Sequence, residues 1–516
     1  MPVFVDLMKA SRAWGSVRQP WVHDVAVDAD GWPTEDAGVV VRVLPGEADL
    51  PAAVRYMKAG VYSLSFRGKA NVKPVTTSEV AIRNVRHDAA TNLSTAEVVI
   101  GSTATELMLG FTQTRRGVRD VRLLPPGHVP GRTFTSEILR AIQPFGVLRL
   151  MDLLSTNNNP VASWEDRARP GSASQAGRKG MAWEHAVELA NETGKDIWIN
   201  IPVHASDEYI ESLAKLLKSS LDPGRVVYVE YSNELWNPMF TQAHANVQAA
   251  VDEAVAGDVT LTRGEPCTRA SFEARKGNCN ATWAGYFRNG KRSVRISEIF
   301  AGVFGSRAIN ERVRVVLATQ YADRAIAEQV LKYIAQHRGK PSSFLYAIAG
   351  APYFYLDSGL SNRPGLRPDQ VLESLRQSLE RDTLPYMAAG TGPRYFRKGA
   401  SYRGGDWTGV SQKALADHYG LRSLAYEGGP DLLQGTNNLD AKSRANADDR
   451  MGALVERMLM QWYGCGNDLF MYFTLASPNG RYGYWGLTDD PSDLDTPKFK
   501  AIRRVAQSRP RPADCR

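Results

Sequence analysis

The stretch VVYVEYSNELWN, residues 226–237, ends a run of β-branched and aromatic residues with two carboxylates, Glu230 and Glu234. The run reads as a buried strand, and a buried carboxylate is costly unless it is paired or hydrogen-bonded. Asn233 and Trp236 flank the second acid. Side chains alternate along a strand, so Glu230 and Glu234 share a parity, with Glu234 nearer the strand end. Another acid, Glu427, closes a second strand-like run, LRSLAYEGG (421–429). Two carboxylates delivered to one place by separate strands can work as an acid and a base or nucleophile, provided their surroundings hold them in opposite protonation states. Further polar or aromatic residues sit at the ends of other runs: Arg149 and Asp152 in FGVLRLMD, His204 in INIPVHA, Gln320 in RVRVVLATQ and Tyr353 in AGAPYF. Glu230 is expected deeper in the protein, bonded to a basic or amide side chain, for which Arg149 is one candidate.

The elements that must position these residues fall into two textures. Residues 22–125 carry short Val-, Ile-, Leu- and Phe-rich runs such as GVVVRVL, GVYSLSFRG, EVAIRNV, STAEVVIG and ELMLGFTQT, punctuated by Gly, Pro, Asn and Asp. That pattern predicts an antiparallel β-sandwich. From about residue 140, strand-like runs alternate with helical ones. The strand runs are 145–152, 195–202, 225–232, 312–320, 343–350, 421–427 and 468–475. With PVFVDLM (2–8) as the first strand, they make an α/β chain of eight units, a (β/α)8 TIM barrel with the sandwich inserted after its first strand. The expected boundaries are 1–21 for that strand, 22–125 for the sandwich and 126–516 for the rest of the barrel. No GxGxxG follows a strand, which argues against an open dinucleotide-binding sheet.

The composition, 43% hydrophobic and 23% charged over 516 residues, is that of a globular protein with a large core. The formal charge of +8 comes from scattered residues without a basic block, the pattern of a solvated surface rather than of a nucleic-acid partner. No run is long and apolar enough to span a membrane, and the first residues lack the pattern of a secretory signal. The four cysteines lie where disulfides would serve. Cys267 and Cys279 flank the polar segment TRASFEARKGN, and a Cys465–Cys515 bond would tether the C-terminus. Such pairs point to an oxidising compartment, with the protein secreted or periplasmic and any signal outside this numbering; the alternative is four unrelated thiols in a cytosolic protein. No two cysteines form a CxxC, so no zinc or redox motif is expected.

In a barrel the functional residues lie at the C-terminal strand ends. Counting from residue 2, Glu234 ends strand four and Glu427 ends strand seven. This arrangement, with EYSNE on strand four and AYEGG on strand seven, resembles the clan of retaining glycoside hydrolases that includes the family 5 cellulases. The whole chain also resembles bacterial exported proteins labelled cellulose-binding, which carry the same YVEYSNE and YEGG runs. The resemblance implies that Glu234 is the acid/base, that Glu427 is the nucleophile, and that Asn233 holds the sugar 2-hydroxyl. It implies that Arg149 keeps Glu427 ionised and that His204 and Tyr353 contact substrate or nucleophile. Asp152 and Gln320, at strand ends, are candidate substrate contacts. Trp236, Tyr353, Trp407 and Trp485 are candidate sugar platforms, with Trp485 and Trp236 favoured because each lies just beyond a strand end. The sequence departs from family 5 in having Leu235 after Glu234 in place of proline, and Phe473 or Thr474 where a tryptophan ends strand eight. The function implied is a metal-free, cofactor-independent retaining hydrolase of β-linked polysaccharide or oligosaccharide, with a β-1,4-glucan as lead substrate. A transglycosylase using the same residues, or a non-catalytic carbohydrate-binding protein on the same scaffold, is the alternative.

Overall fold

Parallel strands buried on both faces read as near-continuous apolar runs, and DIWINI, VYVEY, VRVVLA and AIAG are such runs. A computed structural model of the chain, which describes residues 3–44, 55–76, 79–128, 130–387, 411–508, 510 and 515, arranges them accordingly. The chain forms two units: Met1–Gln143 with Arg167–Leu189 and Asp489–Leu494, and Pro144–Asp166 with Ala190–Thr488 and Asp495–Arg516. Among the described residues no helix is long and apolar enough to cross a membrane.

The first unit contains β1 (Ala37–Val43), β2 (Gly60–Arg67), β3 (Asn71–Pro74), β4 (Val80–Asp88), β5 (Leu93–Ile100), β6 (Glu106–Thr112) and β7 (Arg119–Leu124). They form two sheets, ordered β1-β6-β3 and β4-β5-β2-β7, and every pairing is antiparallel. Alternate residues of both sheets, among them Val39, Leu64, Phe66, Val98, Leu109 and Phe111, meet in one hydrophobic cluster.

Of the run 2–8, the described residues 3–8 do not supply the expected first strand of the parallel sheet. Phe4 makes an antiparallel bridge to Phe134, and Leu7–Ala10 is a 3-10 turn capped by the Asp6 side chain, which accepts from the Met8 N–H. The segment belongs to the same unit as the antiparallel sheets. The apolar alternation of the segment marks extended chain, but a run of seven residues carries no record of which edge it will join.

The second unit is built on β8 (Val147–Arg149), β9 (Asp196–Ile201), β10 (Val227–Tyr231), β11 (Val313–Ala318), β12 (Ala347–Gly350) and β14 (Arg422–Ala425), all parallel and adjacent in chain order. A seventh segment joins β14 through the parallel bridge Ala425–Phe470. Among the described residues the sheet is therefore a partial barrel wall rather than a closed ring of eight. A short parallel pair, β13 (Tyr353–Tyr355) and β15 (Gly429–Asp431), continues beyond β12 and β14. Helices follow the strands; Asp207–Ser220 begins at Ser206, whose side chain accepts from the Tyr209 N–H, and buries Tyr209, Ile210, Leu213, Ala214 and Leu217 at helical spacing. One face of the sheet carries a core of Trp198, Tyr228, Val316, Ala318, Ala347, Ala349, Leu424 and Tyr426. Strand parity puts Asn200 and Glu230 on that same face, one step beyond Trp198 and Tyr228, and Arg149 level with Trp198. Both expected disulfides form, Cys267–Cys279 and Cys465–Cys515.

Candidate active site

The backbone after β10 delivers two consecutive side chains to one place. In a continuing strand Asn233 and Glu234 would face opposite ways. Instead Ser232 (φ 60°) and Glu234 (φ 47°) adopt the left-handed conformation, which costs a non-glycine residue about 1–2 kcal/mol. Asn233 and Glu234 are both buried as a result, 2% and 8% exposed. At the other strand end, Glu427 is followed by two glycines for steric reasons. A Cβ on Gly428 would lie 2.8 Å from the Phe470 ring, and Gly429 sits at φ 141° against the Tyr472 ring. The pair of glycines lets the chain turn closely behind a carboxylate that is itself 9% exposed.

Arg149, at the end of β8, links the acids. Its Nη1 donates to Glu427 Oε2 (3.2 Å), and its Nη2 donates to Glu230 Oε2 (3.0 Å) and Asn233 Oδ1 (2.8 Å). The guanidinium lies over the rings of Tyr426 (5.2 Å) and Trp198 (5.8 Å). Glu427 also accepts from the Tyr353 hydroxyl (3.2 Å). Glu234 has its own donors: the Tyr426 hydroxyl (3.0 Å) and the Asn237 amide (2.9 Å). The Trp236 indole N–H donates to the Tyr426 oxygen (3.2 Å), which orients that hydroxyl towards Glu234. Asn233 is fixed from behind, since its side-chain amide donates to Asn157 Oδ1 and its backbone carbonyl accepts from Gln242. Glu230 accepts from Trp198 and Asn200 (2.8 Å each) besides Arg149.

The electrostatics differ from expectation at one point. Burial pushes the Glu427 carboxyl up, Arg149 pulls it down, and the nearby Glu234 and Glu230 push it up again, so that it lies at about 8. Arg149 thus acts on Glu427 in the expected direction but does not hold it ionised. Its charge also serves Glu230, and burial outweighs what remains. Burial raises Glu230 as well, against Arg149. Burial and the neighbouring carboxylates keep the Tyr353 and Tyr426 hydroxyls well above the usual tyrosine range, so both are donors. Arg149 keeps its charge because Glu230 and Glu427 outweigh the cost of its burial.

The remaining candidates are less engaged. Asp152 is exposed past the end of β8. His204 is exposed in the turn after β9, and Gln320 is half-buried two residues beyond β11. Trp236 is half-buried with its N–H committed to Tyr426. Trp485 is half-buried, edge-on to Phe473 and hydrogen-bonded to Asp431. Trp407 lies outside the described residues. Sequence reasoning missed Tyr426, Asn237, Trp198 and Asn200. Asn200 had a signal, a lone amide inside the apolar run DIWINI. Tyr426 had none, because it precedes Glu427 directly and simple alternation would turn it away. Among the described residues no group of three or more His, Cys, Asp or Glu side chains is arranged to hold a metal ion; the cation lying among these carboxylates is the Arg149 guanidinium.

No protein-family model matches the sequence, and no curated protein matches it. Solved structures that resemble the chain include a Bacteroidetes-affiliated GH5 cellulase linked with a polysaccharide utilization locus (TM-score 0.37, 10% identity, covering 74% of this chain and 89% of that one). An arabinose-bound GH51 α-L-arabinofuranosidase matches with TM-score 0.36 and 10% identity over 98% of this chain and 77% of its own. A β-glucosidase from Exiguobacterium marinum matches with TM-score 0.28 and 11% identity over 71% of this chain and 99% of its own. These likenesses are distant, and it is the side chains around Arg149 that bear on function.

Proposed function

We propose that the chain is a retaining glycoside hydrolase of β-linked polysaccharide or oligosaccharide, with a β-1,4-glucan as lead substrate. The observation that carries the reading is the pair of buried glutamates, Glu234 and Glu427, each with its own hydrogen-bond donors and each at the end of a parallel strand. Glu427, bonded to the Arg149 guanidinium, is the nucleophile, and it reacts in the form in which the pair's one proton sits on Glu234. Glu234, held by neutral donors, is the acid/base. In the first step a Glu427 oxygen bonds to the anomeric carbon, the glycosidic C–O bond breaks, and Glu234 gives its proton to the leaving oxygen. In the second step water attacks the same carbon, its proton passes to Glu234, and the Glu427 ester bond breaks. Asn233, fixed by Arg149, Asn157 and Gln242, offers the sugar 2-hydroxyl a preoriented partner. Trp236 and Trp485 serve as stacking surfaces, and Asp152, His204 and Gln320 as substrate contacts at the strand ends. The two disulfides support an oxidising location, secreted or periplasmic.

Product analysis on a panel of β-glucans, mannans, xylans and galactans tests the activity, and azide tests the roles. Glu234→Ala should still form a glycosyl-enzyme from an activated aryl β-glycoside, stall, and resume turnover with azide, giving a β-glycosyl azide. Glu427→Ala should yield only the inverted azide. Exchanged stereochemistry would reverse the assignment, and binding of glycan with unchanged behaviour in both variants would favour a carbohydrate-binding protein.

A further inference from the structure

The catalytic reading leaves Glu230 without a part, although at 1% exposure it is the most deeply buried of the three glutamates around Arg149. Its bonding is one-sided. Arg149, Trp198 and Asn200 all donate to Oε2, while Oε1 has no hydrogen-bond partner. A carboxylic acid needs an acceptor for its own proton, and every group bonded to Glu230 is a donor, so its hydrogen bonds favour the anion although burial opposes it.

The consequence falls on Arg149. A guanidinium can meet a single carboxylate with two parallel N–H bonds. Here the fork is opened: Nη2 serves Glu230 and Asn233, and Nη1 alone reaches Glu427, at 3.2 Å, long for a charge-assisted bond. The groups acting on Glu427 are Arg149 from β8, Glu230 and Glu234 from the β10 end, and Tyr353 from β13. Those acting on Glu230 are Arg149 and the neutral donors Trp198 and Asn200 of β9. Arg149 is the single cation among them, set against three carboxylates.

We propose that Glu230 is a positioning residue that draws the Arg149 guanidinium partly away from Glu427 and so keeps one proton within the Glu234–Glu427 pair. Relieved of Glu230, Arg149 would turn its full charge on Glu427 and hold it ionised. The pair would then give up its one proton at lower pH. The use made of that proton rests on the hydrolase reading; the sharing of Arg149 does not.

The test is an infrared titration of the free protein that follows the carboxylic-acid C=O band from about pH 5 to about pH 9. In the wild type a band should persist to near pH 8, and Glu427→Gln should remove the component that titrates there. In Glu230→Gln, which keeps an acceptor for the same donors but no charge, that band should vanish about one pH unit lower or more. Trp198→Phe, which removes one donor from the Glu230 anion, should give a smaller shift in the same direction and serves if Glu230→Gln does not fold. Titration at the wild-type position in whichever variant folds overturns the proposal. On a glycan that the wild type cleaves, the alkaline limb of kcat/KM should move by the same amount. A wild type that cleaves none defeats the hydrolase reading and leaves the infrared result to decide the role of Glu230.

Discussion

Replacing Glu427 by glutamine should stabilise the protein, and by an amount that grows with pH. The Glu427 carboxyl sits at about 8 in the folded chain, against an ordinary value of 4.5. Because the folded value is the higher one, the wild type has its full stability below about pH 4.5 and loses it as pH rises towards 8, where the buried group is forced to ionise. Each pH unit across that window is worth about 1.4 kcal/mol, which gives a destabilisation of roughly 3 kcal/mol at pH 7 and roughly 5 kcal/mol above pH 8. Glutamine keeps acceptor and donor atoms for Arg149 and Tyr353 but cannot ionise. The attraction of Arg149 acts on the ionised form and is already contained in the folded value, so the pH dependence of the difference isolates the ionisation. For a unit of several hundred residues, 1 kcal/mol moves Tm by roughly 1–2 °C. The Tm difference between Glu427→Gln and wild type should therefore widen by about 5 °C or more between pH 5 and pH 9 when followed by calorimetry. A difference that stays flat across that range would show that burial does not raise the Glu427 carboxyl.

The same geometry sets two kinetic outcomes. Hydrolysis needs one proton on the glutamate pair, and burial holds that proton to about 8, so kcat/KM should fall on the alkaline side near pH 8; an alkaline limb below about pH 6 would contradict this. Tyr353→Phe removes a hydroxyl donor from Glu427 and should lower kcat roughly 10- to 100-fold with little change in KM; a variant with wild-type kcat would leave Tyr353 no part in the reaction.

Much of the molecule is written locally. The apolar runs of β8 to β12 and β14 specify strands, the helical spacing of Asp207–Ser220 specifies the face it buries, and the cysteines pair as their positions imply. The sequence also shows that Glu234 and Glu427 end such runs, since type and position along a strand are properties of a few neighbouring residues. It could not show which edge the Phe4 segment would join, that Tyr426 would turn to Glu234, or that Arg149 would divide itself between Glu230 and Glu427. The Arg149–Glu427 bond joins residues 278 apart in sequence, and the Tyr426–Glu234 bond residues 192 apart. Contacts at that range are set by strand order, and their directions by two left-handed residues after β10. The protonation of the site follows from them, because the pKa of a buried acid depends on its depth and on the charges around it, both of which exist only once the chain has folded.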